Sequence, residues 1–566
     1  MVFLLTMILL ISTFLVGCGG TDTQTSSQEG SALGEGSDFD NPATRRGNVL
    51  TVGGTDVNGI FNPITYSTVY DSYIIGLVFD TLLGMETDGT LVTEGGLLEN
   101  YEISEDGLIY TFTLKEGLVW HDGQPITAED IAFTYETIMQ PDYKGRLFNN
   151  VQDIVGANEV KKGVAESAEG INVIDERTIE IVTTVAKATT LRNLAGERMF
   201  PIPKHYYDVG SADAMAELDR EPIGNGPFKI KNYVVEQYVE FEPNVDYWQG
   251  TPKLDGIIYK VVANVNELSE FQVGSVDAVN FENAIENYET IEGPTFKHGE
   301  LLNNWNNGYT YVSFNFKNPI FQDQRVRQAL VYGVDRAGFV QSFFGDLGGA
   351  VAHSPISPVS WAYPEAELNP YEYSTEKANE LLDEAGWKMK DDGFRYKDGE
   401  KLAFTWTSYN DAEWSVQFTA LAKENWKHIG VDCEIELMDF NSLSTLVGDL
   451  NNHDKWDMFN MAWSLTADPN MQSTYAKEHT PPGNNRGYYA NEEIEALMEE
   501  GVLELEQEKR KEIYQELAHK FNEDLPYIYV YTRMNPWLIN KRVKNFQPSE
   551  FVEWYANAHE IEIIEN

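Results

Sequence analysis

Few of the residues that could do chemistry in this chain are spaced for catalysis. Its nine histidines are scattered, none paired with another at helical ligand spacing, so no metal is expected. A Gly-x-Ser-x-Gly elbow, a His-Glu-x-x-His pair and a Gly-x4-Gly-Lys phosphate loop are all missing. Gly224-Asn225-Gly226-Pro227 lacks the third glycine of a dinucleotide fingerprint and reads as a turn entering a strand at 228–233, so no cofactor is expected either. Among 90 acidic side chains no spacing singles out a glycosidase pair. The stretch that remains is Ala462-Trp463-Ser464-Leu465-Thr466-Ala467-Asp468-Pro469-Asn470, which offers an aromatic face, hydroxyls and one carboxylate. That set suits non-covalent binding, with Trp463 as a wall, although an Asp-Pro step also initiates turns.

The surrounding elements give the stretch a position. Residues 402–407 read as a strand, and Trp414, Phe418, Leu421, Ala422, Trp426 and Ile429 follow at helical spacing until Gly430. Residues 431–437 alternate as a second strand, Leu443, Leu446 and Leu450 mark a shorter helix, and 456–463 form a third strand. Successive β-α-β-α-β steps imply parallel strands, and ligands of such sheets bind beyond the strands' carboxyl ends, where Trp463 falls. Further upstream, Tyr110, Phe112 and Leu114 share one face of a strand at 109–114. Thr127 and Asp130 then have the spacing of a capping pair, ahead of a helix with Ala128, Ile131, Tyr135 and Ile138 on one stripe.

At 566 residues, 42% of them hydrophobic, the chain is long enough for two or more lobes with cores of their own. Ninety acidic against 41 basic side chains leave a net charge of −49, which repels phosphate backbones and excludes nucleic acid as a partner. Val2 to Val16 is apolar except for Thr6, Ser12 and Thr13, too short to span a membrane and suited to a secretory signal. The basic residues that usually precede such a run are absent, so an earlier start is expected. Leu15-Val16-Gly17-Cys18 resembles the bacterial lipobox, which implies cleavage after residue 17 and a diacylglycerol-modified Cys18 holding the chain to the membrane. Residues 18–47, rich in Gly, Ser, Thr and acidic side chains, read as a flexible tether. The only other cysteine, Cys433, reads as an unpaired core thiol.

From about 53 to 560 the sequence resembles the family 5 extracellular solute-binding proteins, the peptide- and nickel-type receptors of ATP-driven importers. The resemblance rests on EGLVWHDGQPITAEDIAFTYETI (116–138), EPIGNGPFKI (221–230), NVDYWQG (244–250), FNFKNPIFQDQRVRQALVYGVDR (314–336) and EKANELLDEAGW (376–387), in that order. It implies an α/β, two-lobed, periplasmic-binding-protein-like fold of the large type with an extra subdomain and a hinge between the lobes. Lobe I would be 48–305 plus 533–566, with an inserted subdomain at about 67–200, and lobe II 306–532.

It also implies a monomeric receptor on the outer face of the cytoplasmic membrane, not an enzyme, that delivers a solute to the permeases of an ABC importer. Oligopeptides are the first candidate; nickel chelates, opines and oligosaccharides are alternatives, and a secreted glycoside hydrolase or a signalling receptor is the rival outside the class. Carried over position by position, the ligand-binding residues would be Ser67, Thr68 and Val69 in a loop of lobe I, Trp305, Asn306 and Tyr309 at the hinge, and Trp463 with Thr466 and Asp468 beyond it. Peptide-binding members commonly carry an Asp, for the peptide amine, where this chain has Thr466. Asp468 would either take over that amine or hold the Asp-Pro turn.

Overall fold

The computed structural model describes residues 41–564 apart from Glu197 and Glu365, so the signal segment and Cys18 lie outside the described residues. Residues 41–566 form one compact unit. It begins ahead of Asn48, where the tether was expected to end, because Pro42–Arg46 makes a 3-10 turn docked by polar contacts. Asn41 donates to Asn540 Oδ1 (2.8 Å), and Arg46 pairs with the buried Asp277, which Arg542 also clamps. A reading that looks for apolar residues does not see a segment fastened by amides and guanidinium groups.

The leading half contributes β1 (Val49–Gly54), α1 (Val69–Val78), β2 (Leu98–Ile103), β3 (Ile109–Leu114), α2 (Ala128–Met139), β4 (Ile171–Val173) and β5 (Thr178–Val182). Strand β3 alternates as its sequence requires, burying Tyr110, Phe112 and Leu114, and joins a four-stranded sheet in the order β2-β3-β5-β4. Helix α2 starts at a capping box in which Asp130 accepts the Thr127 amide (2.9 Å). Then come β6 (Phe228–Val234), β7 (Tyr238–Pro243), β8 (Gly256–Val261), β9 (Ala278–Asn280) and β10 (Gly299–Trp305).

The second half runs β11 (Gly308–Phe314), α3 (Gln324–Tyr332), β12 (Gly349–Val351), α4 (Thr375–Glu384), β13 (Ala403–Tyr409), α5 (Glu413–Lys427), β14 (Asp432–Met438), α6 (Phe440–Gly448), β15 (Met458–Ser464), α7 (Glu492–Leu503), α8 (Gln507–Asp524) and β16 (Tyr527–Asn540). Strand β13 pairs in parallel with both β14 and β15, the arrangement that the β-α-β-α-β order demands. Helix α6 stops at Gly448, because Asp449 turns extended and caps a separate 3-10 turn. Leu450, expected on the helix stripe, is therefore 54% exposed.

A 12-stranded sheet runs through the molecule in the order β14-β13-β15-β11-β16-β9-β1-β8-β7-β6, with β10 and β12 also paired to β16. Its 14-residue strand β16 changes partners along its length. Residues up to Arg533 pair with β11 and β12, and residues from Met534 pair with β9 and β10. The interior divides at the same place. One large apolar cluster gathers residues between Leu50 and Ala278 with others from Trp537 to Ile561, another gathers residues between Tyr309 and Tyr531, and a smaller one joins Val262 and Phe271 to Leu538.

Candidate ligand-binding site

Two asparagines make the loop between β10 and β11. Asn306 donates its amide to Arg533 O (2.9 Å) and its Nδ2 to Glu550 Oε1 (3.1 Å), and its carbonyl accepts from Ser357 Oγ (2.9 Å). Asn307 is buried; its Nδ2 donates to Thr466 O (2.9 Å), and its carbonyl accepts the Leu465 amide (2.8 Å). Together these bonds pin the loop after β15 onto the β10–β11 loop. Gly308 permits the approach, since a Cβ there would sit 2.4 Å from Trp463 O.

Trp463 faces Tyr309 in the β11–β15 register and stacks on Tyr311 (centroids 6.0 Å apart, planes 5° apart), which stacks in turn on Tyr527 (4.2 Å). Its indole is thus the last ring of an aromatic ladder that ends where β15 ends. Trp305, at the end of β10, pairs with Met534, where β16 changes partners. Tyr309 is buried and shares hydroxyl contacts with Tyr475 (2.8 Å), which reaches Tyr529 (3.3 Å). Burial and the neighbouring phenols hold its pKa well above the ordinary tyrosine value.

Asp468 is 8% exposed, and both of its carboxylate oxygens are held by Arg510 (2.9 and 3.0 Å). The Asn470 amide donates to it as well (3.0 Å), closing the turn through Pro469. Thr466 donates its hydroxyl to Asp468 O (2.9 Å). A cavity of ≈ 40 Å³ brings Asn307, Tyr309, Thr466 and Asp468 onto one wall, with room for a water-sized guest. Thr68 caps α1, accepting the Asp71 amide (3.2 Å) and donating to the buried Asp71 carboxylate (2.7 Å). Ser67 and Val69 beside it are exposed. The Asn306–Gly308 loop, the loop after Trp463 and the small cavity therefore come together, and Thr68 and Val69 stand at the start of α1 with Ser67 just before it.

Asn307 escaped the sequence reading. Four asparagines crowd 303–307, and side-chain type alone does not tell which one turns inward.

The signature blocks build a junction between segments distant in sequence. The Gly224 carbonyl accepts the His121 amide (2.7 Å), and the amides of Asn225 and Gly226 donate to Val78 O (3.0 and 2.8 Å). Asn225 Oδ1 accepts the Asp80 amide, and the Asp80 carboxylate accepts from Trp248 Nε1 (2.7 Å) and the Tyr247 hydroxyl (3.2 Å). Burial pushes Asp80 up to about 7. Arg327 ties α3 to the end of α8 through Asp524 and the Leu525 carbonyl, and Gly386 (φ +91°) follows the end of α4 ahead of the buried Trp387.

A mixed α/β body whose interior is parted along one shared strand, with an aromatic wall at the parting, has the architecture of a two-lobed binding protein. The solved periplasmic murein tripeptide binding protein MppA, in its unliganded open form, shares this fold with a TM-score of 0.78 at 20% identity, over 92% of this chain and 98% of that one. Residues 93–485 match the family described as bacterial extracellular solute-binding proteins, family 5, and the chain belongs to that family.

The oligopeptide-binding protein AppA of Bacillus subtilis (strain 168) is 29% identical over 552 residues, spanning 96% of this chain and 95% of the relative. AppA from Bacillus subtilis solved with a nonapeptide aligns with a TM-score of 0.64 at 27% identity, over 91% of this chain and 99% of that one. Among the described residues, no helix is long and apolar enough to cross a membrane.

Proposed function

We propose that this protein captures oligopeptides between lobe I (48–305 with 533–566) and lobe II (306–532) and delivers them to an ABC importer, held to the outer face of the cytoplasmic membrane through Cys18. The observation that carries the reading is the near full-length similarity to an oligopeptide-binding protein solved with a nonapeptide. Closure about the Asn306–Gly308 loop and the middle of β16 buries the ligand, and Trp463 walls it. Backbone groups near Ser67, Thr68 and Val69 hold an extended peptide as an added strand.

Arg510 occupies the Asp468 carboxylate, so Asp468 serves the turn and the peptide amine is met elsewhere. Native mass spectrometry of the purified chain is expected to show co-purifying peptide masses, and added peptides to raise the melting temperature. Absence of both rejects the peptide reading. N-acetylated and free peptides are expected to bind Asp468→Asn with the same affinity ratio as wild type; a ratio that collapses in the variant makes Asp468 the amine partner. Cys18→Ala is expected to release the protein from membranes, and continued retention would remove the lipid anchor.

A further inference from the structure

A cavity of ≈ 580 Å³ lies beside α1, and none of the residues assigned above to ligand binding lines it. Its walls are Ser72 and Gly76 of α1, the segment from Phe79 to Gly95, Phe200 and the chain from Glu550 to Glu560. That volume falls within the roughly 300–1,000 Å³ typical of small-ligand sites. Phe79, Leu83, Phe200 and Phe551 give it hydrocarbon surface, and Glu86, Glu94, Glu550, Glu553 and Glu560 line it with carboxylates, beside Asp80, which Trp248 and Tyr247 hold. Arg198 is the only lysine or arginine among the described lining residues, Lys115 just outside acts on Asp80 and Glu94, and burial pushes the His559 imidazole down toward its neutral form. A cavity so lined attracts positive charge.

The occupant's shape follows from how the acids are placed. No group of three His, Cys, Asp or Glu among the described residues converges as a metal ion needs. The cavity instead combines its carboxylates with the aromatic and aliphatic surface of Phe79, Leu83, Phe200 and Phe551. Such a wall fits an extended organic cation whose methylenes lie on the apolar surface while its charged ends meet carboxylates.

We propose that this cavity binds an alkylammonium or guanidinium group, carried by a free polyamine or by a basic side chain of a captured peptide. The second source rests on the peptide-receptor reading above. It draws on the bond from Asn306 Nδ2 to Glu550 (3.1 Å), which ties the cavity wall to the hinge loop.

The test titrates the full chain by calorimetry with spermidine, with its uncharged counterpart octane-1,8-diol, and with pentapeptides carrying lysine or norleucine at each position in turn. The same titrations are run on the Glu94→Gln/Glu553→Gln variant and on Glu86→Gln, with ligand-free melting temperature as the folding control. Spermidine, or lysine at one position, is expected to bind about tenfold or more tightly than its neutral counterpart. Either set of substitutions is expected to erode that preference. A lysine preference without spermidine binding assigns the cation to the peptide, and spermidine binding alone assigns it to a free amine. Peptides bound equally well with lysine or norleucine, with no spermidine binding, overturn the cation site and leave the receptor reading standing. Spermidine binding without any peptide binding upholds the site and rejects the peptide reading. A charge preference that folded variants retain in full also overturns the site, and silence from every probe overturns both.

Discussion

His121 keeps its ring neutral because of what faces its two nitrogens. Nδ1 accepts the Gly224 amide (3.3 Å), so the ring proton is on Nε2, which donates to Gly226 O (3.0 Å). A second proton would confront the Gly224 N–H, and burial already pushes the pKa down to about 4. The folded value lies below the unfolded one, so this stability is present in full above pH 6.5 and is lost as the pH falls toward 4. Its size is about 3 kcal/mol at most. His121→Gln is expected to flatten the acid limb of a plot of melting temperature against pH, and an unchanged limb would remove His121 as its source.

Asp468 and Arg510 make a second prediction at this scale. Arg510→Ala leaves a buried carboxylate without its partner and is expected to cost roughly 3–5 kcal/mol, while Asp468→Asn/Arg510→Met costs much less. Urea denaturation of both variants checks this, and equal losses would mean that the pair carries no coupling. The sequence left Asp468 with two roles, because the guanidinium that occupies it stands 42 residues away and no local pattern announces it.

Elements were legible where period and punctuation agree. Strand β3 with its alternation of half-buried and buried residues, the capped α2, and the β13-α5-β14-α6-β15 series follow from spacing alone. Strand β14 is a partial exception. It lies at the sheet edge, so Leu437 is exposed although the alternation in its sequence is clean. The turn before β6 was read as a turn, but its reason needed the fold. A Cβ on Gly224 would lie 1.9 Å from Val78 O, so the glycine is there to let two segments touch. Gly224→Ala is expected to lower stability by at least about 2 kcal/mol, as overpacking does. A loss within experimental error in urea unfolding would mean that the contact can relax.

At the scale of the whole molecule, charge works against compactness. With a net charge of −49, self-repulsion destabilises the folded state, and screening shortens from about 10 Å at 0.1 M salt to about 3 Å at 1 M. The melting temperature is expected to rise with NaCl over that range in differential scanning calorimetry. A flat or falling curve would show that surface ion pairs outweigh the repulsion. The 12-stranded sheet itself was not legible. Strand β16 is apolar at both ends, and the lobe boundary at 532–533 that the resemblance implies falls within it, but its pairing with both halves of the sheet shows only in its register. Along it, Arg533, Met534 and Asn535 interrupt an otherwise buried run at the place where partners change.

The docking of residues 41–46 sets a load path. A pull arriving from the amino-terminal side enters through Asn41 at Asn540 and through Arg46 at Asp277, and Asp277 is clamped to Arg542. Force is thereby handed to the far end of β16, where its component along the strand loads the rungs to β9 and β10 in shear, all at once rather than one after another. The segment is thus fastened to the one strand whose two ends pair with different halves of the sheet.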